Sequence, residues 1–169
     1  MMKKRGFTLI EMVLAIAILA ASTMVASSMM INGIETYGRV TERRQALRSG
    51  RFALMVMRKQ LEVIADPANH ISSISSSGIT FLPTDSTTYS NYSISGNQLS
   101  KDGNVLAGSL TNNSAFSFFD AAGNSTNNAG NVASIQIVLE LDTGVSQWGA
   151  VSLVDRIYLR NRYYDSLSN

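Results

Sequence analysis

From Phe7 to Ile31 a single side chain can ionise, and it is Glu11. A carboxylate within such an apolar run costs on the order of 2.5 to 3.5 kcal/mol near a bilayer centre, and less at the shallow depth of Glu11. It calls for a counter-charge, yet no Lys, Arg or His follows until Arg39. Ahead of the run stand Lys3, Lys4 and Arg5, and then Gly6. Hydrolysis of the Gly6-Phe7 peptide bond would remove those three cations and leave a new α-amino group four residues before Glu11. The candidate chemistry is therefore a processing step that manufactures the missing positive charge. Residues four apart share a helix face, so the amine of the same chain or of a neighbouring one is open as the partner of Glu11.

These groups must be held by the helix that the apolar run implies. At about 1.5 Å per residue, residues 7–31 would extend roughly 37 Å, enough to cross a hydrocarbon core of about 30 Å with some tilt. Such a helix satisfies its own backbone inside lipid. Lys3, Lys4 and Arg5 should stay on the cytoplasmic side, which sends the remaining chain across the membrane. Two plainer readings share part of the pattern. A secretory signal peptide also has a basic start, and Ala20-Ala21-Ser22 or Ala26-Ser27-Ser28 imitates its cleavage site, but its apolar core is shorter. An uncut anchor would tolerate Glu11 at a helix N-terminus, where the macrodipole favours an acid. Neither explains Gly6, Phe7 and Glu11 together.

The segment Gly6-Phe7-Thr8-Leu9-Ile10-Glu11, after a short basic leader and before an apolar run, resembles the processing site of the type IV pilin superfamily. That superfamily includes pilins and the pseudopilins of type II secretion. The resemblance implies that a membrane-embedded prepilin peptidase cuts after Gly6 and methylates the amine of Phe7. It also implies that Glu11, as the fifth mature residue, pairs with a neighbouring subunit's amine during assembly. Other pilin or pseudopilin subunits, the peptidase and an inner-membrane assembly platform are the partners it implies. The resemblance covers about the first fifth of the chain.

The 169 residues allow the span plus one modest domain. The formal charge of +2 hides a strong asymmetry: residues 32–65 carry seven Lys/Arg against three Glu, and residues 66–169 carry four against eight acids. An acidic exported head argues against a general nucleic-acid binder. There is no cysteine, so no disulfide staples the head despite the oxidising compartment its topology implies. Many major pilins close their C-terminal region with a disulfide, and this chain departs from that pattern.

The organisation reads as a leader over 1–6, a membrane and filament-core helix over 7–31, an amphipathic continuation over 32–65, and a β-rich head over 66–169. In the continuation Tyr37, Val40, Leu47, Leu54, Met57, Leu61 and Ile64 recur at threes, fours and sevens, which predicts one packing face. Glu35, Arg39, Glu42, Arg43, Arg48, Arg51, Arg58 and Glu62 read as a solvated face. Gly33, Gly38 and Gly50 mark points of bending or close approach. Asp66-Pro67 is expected to end the helix. Beyond it, residues 72–77 read as a polar linker. Strands are predicted over 78–82, 89–95, 98–101, 116–120, 132–142 and 151–160, with turns at Gly96-Asn97 and Asp102-Gly103 and a loop over 121–131. The fold class is α+β: a long N-terminal helix whose apolar stripe packs on a meander of antiparallel strands.

The closing run Asp155-Arg156-Ile157-Tyr158-Leu159-Arg160-Asn161 and the order of strands are similar to J-type minor pseudopilins of type II secretion and to equivalent minor pilins. The implied role is a structural minor subunit; the alternative is a tip-located adhesin or a DNA-binding minor pilin. Catalysis lacks parts. His70 is the sole histidine, which leaves His-based metal sites and nucleophile systems incomplete. Glu140 and Asp142 read as an exposed acidic face rather than an acid/base pair. Asp120, Asn124 and Asn127 offer oxygens suited to calcium at a spacing that matches no calcium loop, so no cofactor is expected. Arg156, Arg160 and Arg162 beside Tyr158, Tyr163 and Tyr164 suit an edge strand kept soluble, in preference to a grip on single-stranded DNA.

Overall fold

A computed structural model describes residues 8–64, 66–83, 86–142 and 149–159. The chain divides into two compact units, residues 1–41 and 42–169, with the division falling inside helix α1, Leu9–Leu61.

In the first unit α1 is exposed from Leu9 to Arg39, with Val40 half-buried; Leu9, Ile10, Val13, Ile16 and Leu19 are among the large apolar side chains left uncovered. Its hydroxyls are satisfied from within. Ser22 and Thr23 donate to the carbonyls of Ile18 and Leu19 at 2.8 and 2.9 Å, and Ser27 donates to that of Thr23 at 2.8 Å. A helix whose hydroxyls bond back to its own carbonyls, with an apolar exterior, suits lipid or a bundle of like helices. It contains a stretch long and apolar enough to cross a membrane.

In the second unit the C-terminal turns of α1 lie on two antiparallel sheets. One is a five-stranded meander of β1 Ile71–Ser75, β2 Gly78–Phe81, β3 Ser90–Ser95, β4 Gln98–Lys101 and β5 Asn104–Ala107, in that spatial order. The other has β7 Ser134–Leu141 between β6 Ala115–Phe119 and β8 Val151–Tyr158. The single expected meander is thus split in two. The sheets meet where the Phe116 N–H donates to the Ser76 carbonyl at 2.9 Å, and Leu110 bridges to Leu141. One core serves both. Ala53, Met57 and Leu61 of α1 are buried with Phe81, Tyr92 and Leu99 from the first sheet and Ile135, Ile137, Leu139 and Ile157 from the second. Phe81 and Tyr92 stack with centroids 5.8 Å apart, and the Tyr92 hydroxyl donates to Gln60 Oε1 of α1 at 2.6 Å.

The stripe packs as the apolar spacing predicts from Leu47 to Ile64, but Tyr37 lies outside it and is 76% exposed. Ala53, which the stripe omits, is wholly buried. Gly50 is a point of close approach: a Cβ there would lie 2.9 Å from Leu153 Cδ1 and 3.0 Å from Leu141 Cδ1. Gly33 and Gly38 have open space around them.

Several expectations need correction. Helix α1 ends at Leu61, before Asp66-Pro67, and that dipeptide opens a helix. Asp66 accepts the Ala68 N–H at 3.0 Å as the N-cap of α2, Pro67–His70, with Pro67 in the first turn, where its missing N–H costs nothing. Residues 72–77 are no linker, because 71–75 form strand β1. A register shift between Ile71 and Ser73 puts its two inward isoleucines three residues apart, which erases the two-residue alternation. Strand β5 is hidden for the same reason, its pairing with β4 shifting between Leu99 and Ser100. The turns at Gly96-Asn97 and Asp102-Gly103 stand as expected. Asp102 and Gly103 both take positive φ, 50° and 82°, as a two-residue hairpin requires.

Candidate functional site

The apolar run begins with a reciprocal cap. The Thr8 backbone N–H and its hydroxyl both donate to Glu11 Oε2 at 2.9 Å, and the Glu11 N–H reaches back to Thr8 Oγ1 at 3.4 Å. This is a capping box: the acid at the third helical position and the hydroxyl ahead of it satisfy donors that a helix start leaves open. The carboxylate is folded against its own helix end while its second oxygen, Oε1, has no hydrogen bond among the described residues. Glu11 is thereby partly compensated by its own helix start. The spacing Thr-x-x-Glu before an apolar run is a helix-start signature that reading Glu11 as an unmet charge passes over.

Lys3, Lys4, Arg5, Gly6 and Phe7 lie outside the described residues, as do Arg160, Arg162, Tyr163 and Tyr164.

The remaining candidates are spread over the second unit, where His70, Asp120, Asn124, Glu140 and Arg156 are each engaged by neighbouring groups. His70 Nδ1 lies 2.9 Å from the Asp66 carbonyl in the turn of α2. Asp120 Oδ1 accepts the Asn124 N–H at 2.8 Å, and the Asp120 N–H donates to the Asn124 carbonyl at 2.9 Å, so that carboxylate closes a loop. Among the described residues no group of three or more His, Cys, Asp or Glu is placed to hold a metal ion.

Glu140 does not belong to an exposed acidic face. Its carboxylate accepts hydrogen bonds from the Thr111 hydroxyl and, at 2.6 Å, from Asn113 Nδ2. The Ser114 hydroxyl donates to its carbonyl at 3.2 Å and accepts from its N–H at 2.9 Å. Glu140 thus holds the turn before β6 against β7.

Nor is Arg58 merely solvated, since it pairs with Asp155 of β8. Arg156 sits on edge strand β8 with its guanidinium 4.3 Å from the centroid of Phe119 and 5.5 Å from that of Tyr158. It also donates to the buried Ser134 hydroxyl at 3.1 and 3.2 Å. A charge stacked between two rings keeps an edge strand soluble.

No curated protein and no solved structure shows a significant match to this chain. The N-terminus does match a family model: residues 1–27 carry the prokaryotic N-terminal methylation motif, the prepilin-type signal of the type IV pilin family.

Proposed function

We propose that this chain is inserted as a precursor, cut between Gly6 and Phe7 by prepilin peptidase, methylated on the Phe7 amine, and assembled as a structural minor subunit of a type IV pilus or a type II secretion pseudopilus. The observation that carries the reading is the methylation motif at residues 1–27 together with the capped Glu11 that opens an uncovered apolar helix. Residues 1–6 are the leader and 7–31 the span and later the filament core. The helical stem runs from residue 32 to Leu61, where α1 ends, and residues 66–169 are the head. Lys3, Lys4 and Arg5 hold the leader in the cytoplasm and the head lies outside it.

Extraction from lipid into a filament moves a long apolar helix between two apolar surroundings, and apolar packing alone sets register loosely. A charge pair supplies register. The new amine of an adjacent subunit reaches the Glu11 carboxylate at Oε1, the oxygen that the Thr8 cap leaves open, and adds a full counter-charge to the cap's hydrogen bonds. The absent disulfide and the Ile157-x-Leu159-Arg160-Asn161 ending support a minor position over a major one.

Replacing Glu11 by Val tests the role. Insertion and leader removal should persist while filaments are lost; normal filaments from that variant would refute the pairing. Intact mass of the mature chain from a host with the peptidase should begin at a methylated Phe7, and a retained leader would refute the processing.

A further inference from the structure

On the second unit, α1 presents opposite chemistry on two of its faces. The face turned from the core is a ridge of Arg44, Arg48, Arg51 and Lys59 around Phe52 and Met55, all exposed. They recur at threes and fours, so they form one continuous strip. Among the described residues none of these four cations takes part in an ion pair. Phe52 and Met55 are 52% and 62% exposed at its centre, an arrangement of apolar middle and charged rim characteristic of contact surfaces.

Roughly a third of a turn around the same helix lies a groove of about 630 Å³. Glu42, Gln45 and Ser49 form one wall; edge strand β5 and the turn after it, with Val105 and Leu106, form the other, and Asp142 stands at the rim. Val105 is 56% exposed, so the groove has an apolar lip and an acidic border.

We propose that the cationic ridge of one copy docks in the acidic groove of a second copy of this chain. Phe52 and Met55 meet the lip at Val105 and Leu106, while Arg48 and its neighbours face Glu42. Charge complementarity singles out this occupant. Anionic lipid or nucleic acid would satisfy the ridge and be repelled by the groove, whereas a second copy uses both. Because ridge and groove are different surfaces, the contact is heterologous and leaves one of each free at the ends, so it propagates along a line instead of closing a dimer. The inference deepens the filament-subunit reading and rests on it. A minor position limits how many copies join in a row, not the geometry by which they join.

The chain has no cysteine, so introduced thiols report without background. Met55→Cys and Val105→Cys are placed in separate full-length chains carrying different tags, co-expressed, and oxidised mildly in membranes. Mixed disulfide dimers should exceed those of either chain alone by about fivefold or more, and fall as salt rises. Arg48→Glu in the Met55→Cys chain should lower the yield several-fold, and Glu42→Arg in the Val105→Cys chain should restore it. A mixed yield no higher than the single chains, or dimers formed only between two Met55→Cys chains, overturns the proposal. So does protection of the thiol of the Met55→Cys chain from maleimide by phosphatidylglycerol vesicles without mixed dimers, which assigns the ridge to lipid. Leader removal is read by intact mass on the same samples, so normal processing without mixed dimers defeats this interface and leaves the subunit reading standing.

Discussion

Arg58 of α1 and Asp155 of β8, 97 positions apart in the chain, meet in a two-pronged ion pair: Nε donates to Oδ2 at 3.0 Å and Nη2 to Oδ1. The hydrogen bonds to Asp155, and then its charge, push the guanidinium further above its already high range, so it stays charged wherever the unit is folded. The arginine is half exposed and Asp155 is largely covered, so screening limits what the pair contributes. Arg58→Met and Asp155→Asn should each lower stability by about 1 kcal/mol, with a coupling of about 0.5 to 1 kcal/mol in a double-mutant cycle. Thermal unfolding of the full chain in detergent measures it, and a vanishing coupling would mean the pair only decorates the helix.

Tyr92 gives the head an alkaline limit. Burial, and next the negative charge of Asp102, push its phenol well above the ordinary range. The folded state thus keeps a proton that the unfolded chain releases at about pH 10, so the stabilisation is complete below that pH and is lost progressively above it, up to the higher pH at which the folded phenol itself titrates. Tyr92→Phe should flatten the loss of stability above about pH 10, and at neutral pH should cost about 1 kcal/mol for the hydrogen bond to Gln60. Stability of both forms followed between about pH 7 and 11, a range spanning the unfolded phenol's titration, separates the two effects, and parallel curves would contradict the first.

Two glycines should differ in their response to gaining a methyl group. At Gly78 a Cβ would lie 2.4 Å from the Tyr92 carbonyl oxygen, a backbone atom fixed by the β2–β3 ladder. At Gly50 it would meet only the ends of leucine side chains, which can turn aside, while alanine gains about 1 kcal/mol of helix propensity. Gly78→Ala should therefore destabilise by roughly 2 kcal/mol or more, and Gly50→Ala should change stability by less than about 1 kcal/mol. Equal losses at the two sites would show that the leucines at Gly50 are not free to move.

Where the pattern is periodic, the sequence is legible. Ile135, Ile137, Leu139 and Leu141 alternate through β7 without interruption, and the stripe ending at Met57, Leu61 and Ile64 marks the buried side of α1. Bulged strands hide, because a shifted register breaks the alternation that identifies a strand, as at Ile71 and Ile74. Side-chain links of long range, such as Arg58 to Asp155 or Glu140 to Thr111, carry no local signal at all. The Thr8 cap is different, since four adjacent residues encode it. Attention to the cost of burying Glu11 obscures the hydroxyl three positions earlier that lowers that cost.

The cap gives Glu11 a duty besides the proposed pairing with an amine, and a Glu11 substitution merges the two. Thr8→Val removes the hydroxyl from the carboxylate and from the Glu11 N–H, yet leaves the Thr8 backbone donor and the Phe7 amine untouched. Loss of a helix cap costs about 1 kcal/mol, whereas under the proposed pairing loss of the acid removes the counter-charge for every amine brought into the filament core. Thr8→Val should accordingly be processed and assemble with a modest fall in filament yield, while Glu11→Val is processed and does not assemble. Glu11→Gln preserves the shape and one acceptor without the charge, and it should behave as Glu11→Val does. Filament yield measured by shearing and immunoblotting decides among them. Assembly by Glu11→Gln at the level of the parent chain would make the cap, and not the charge, the reason an acid stands at this position.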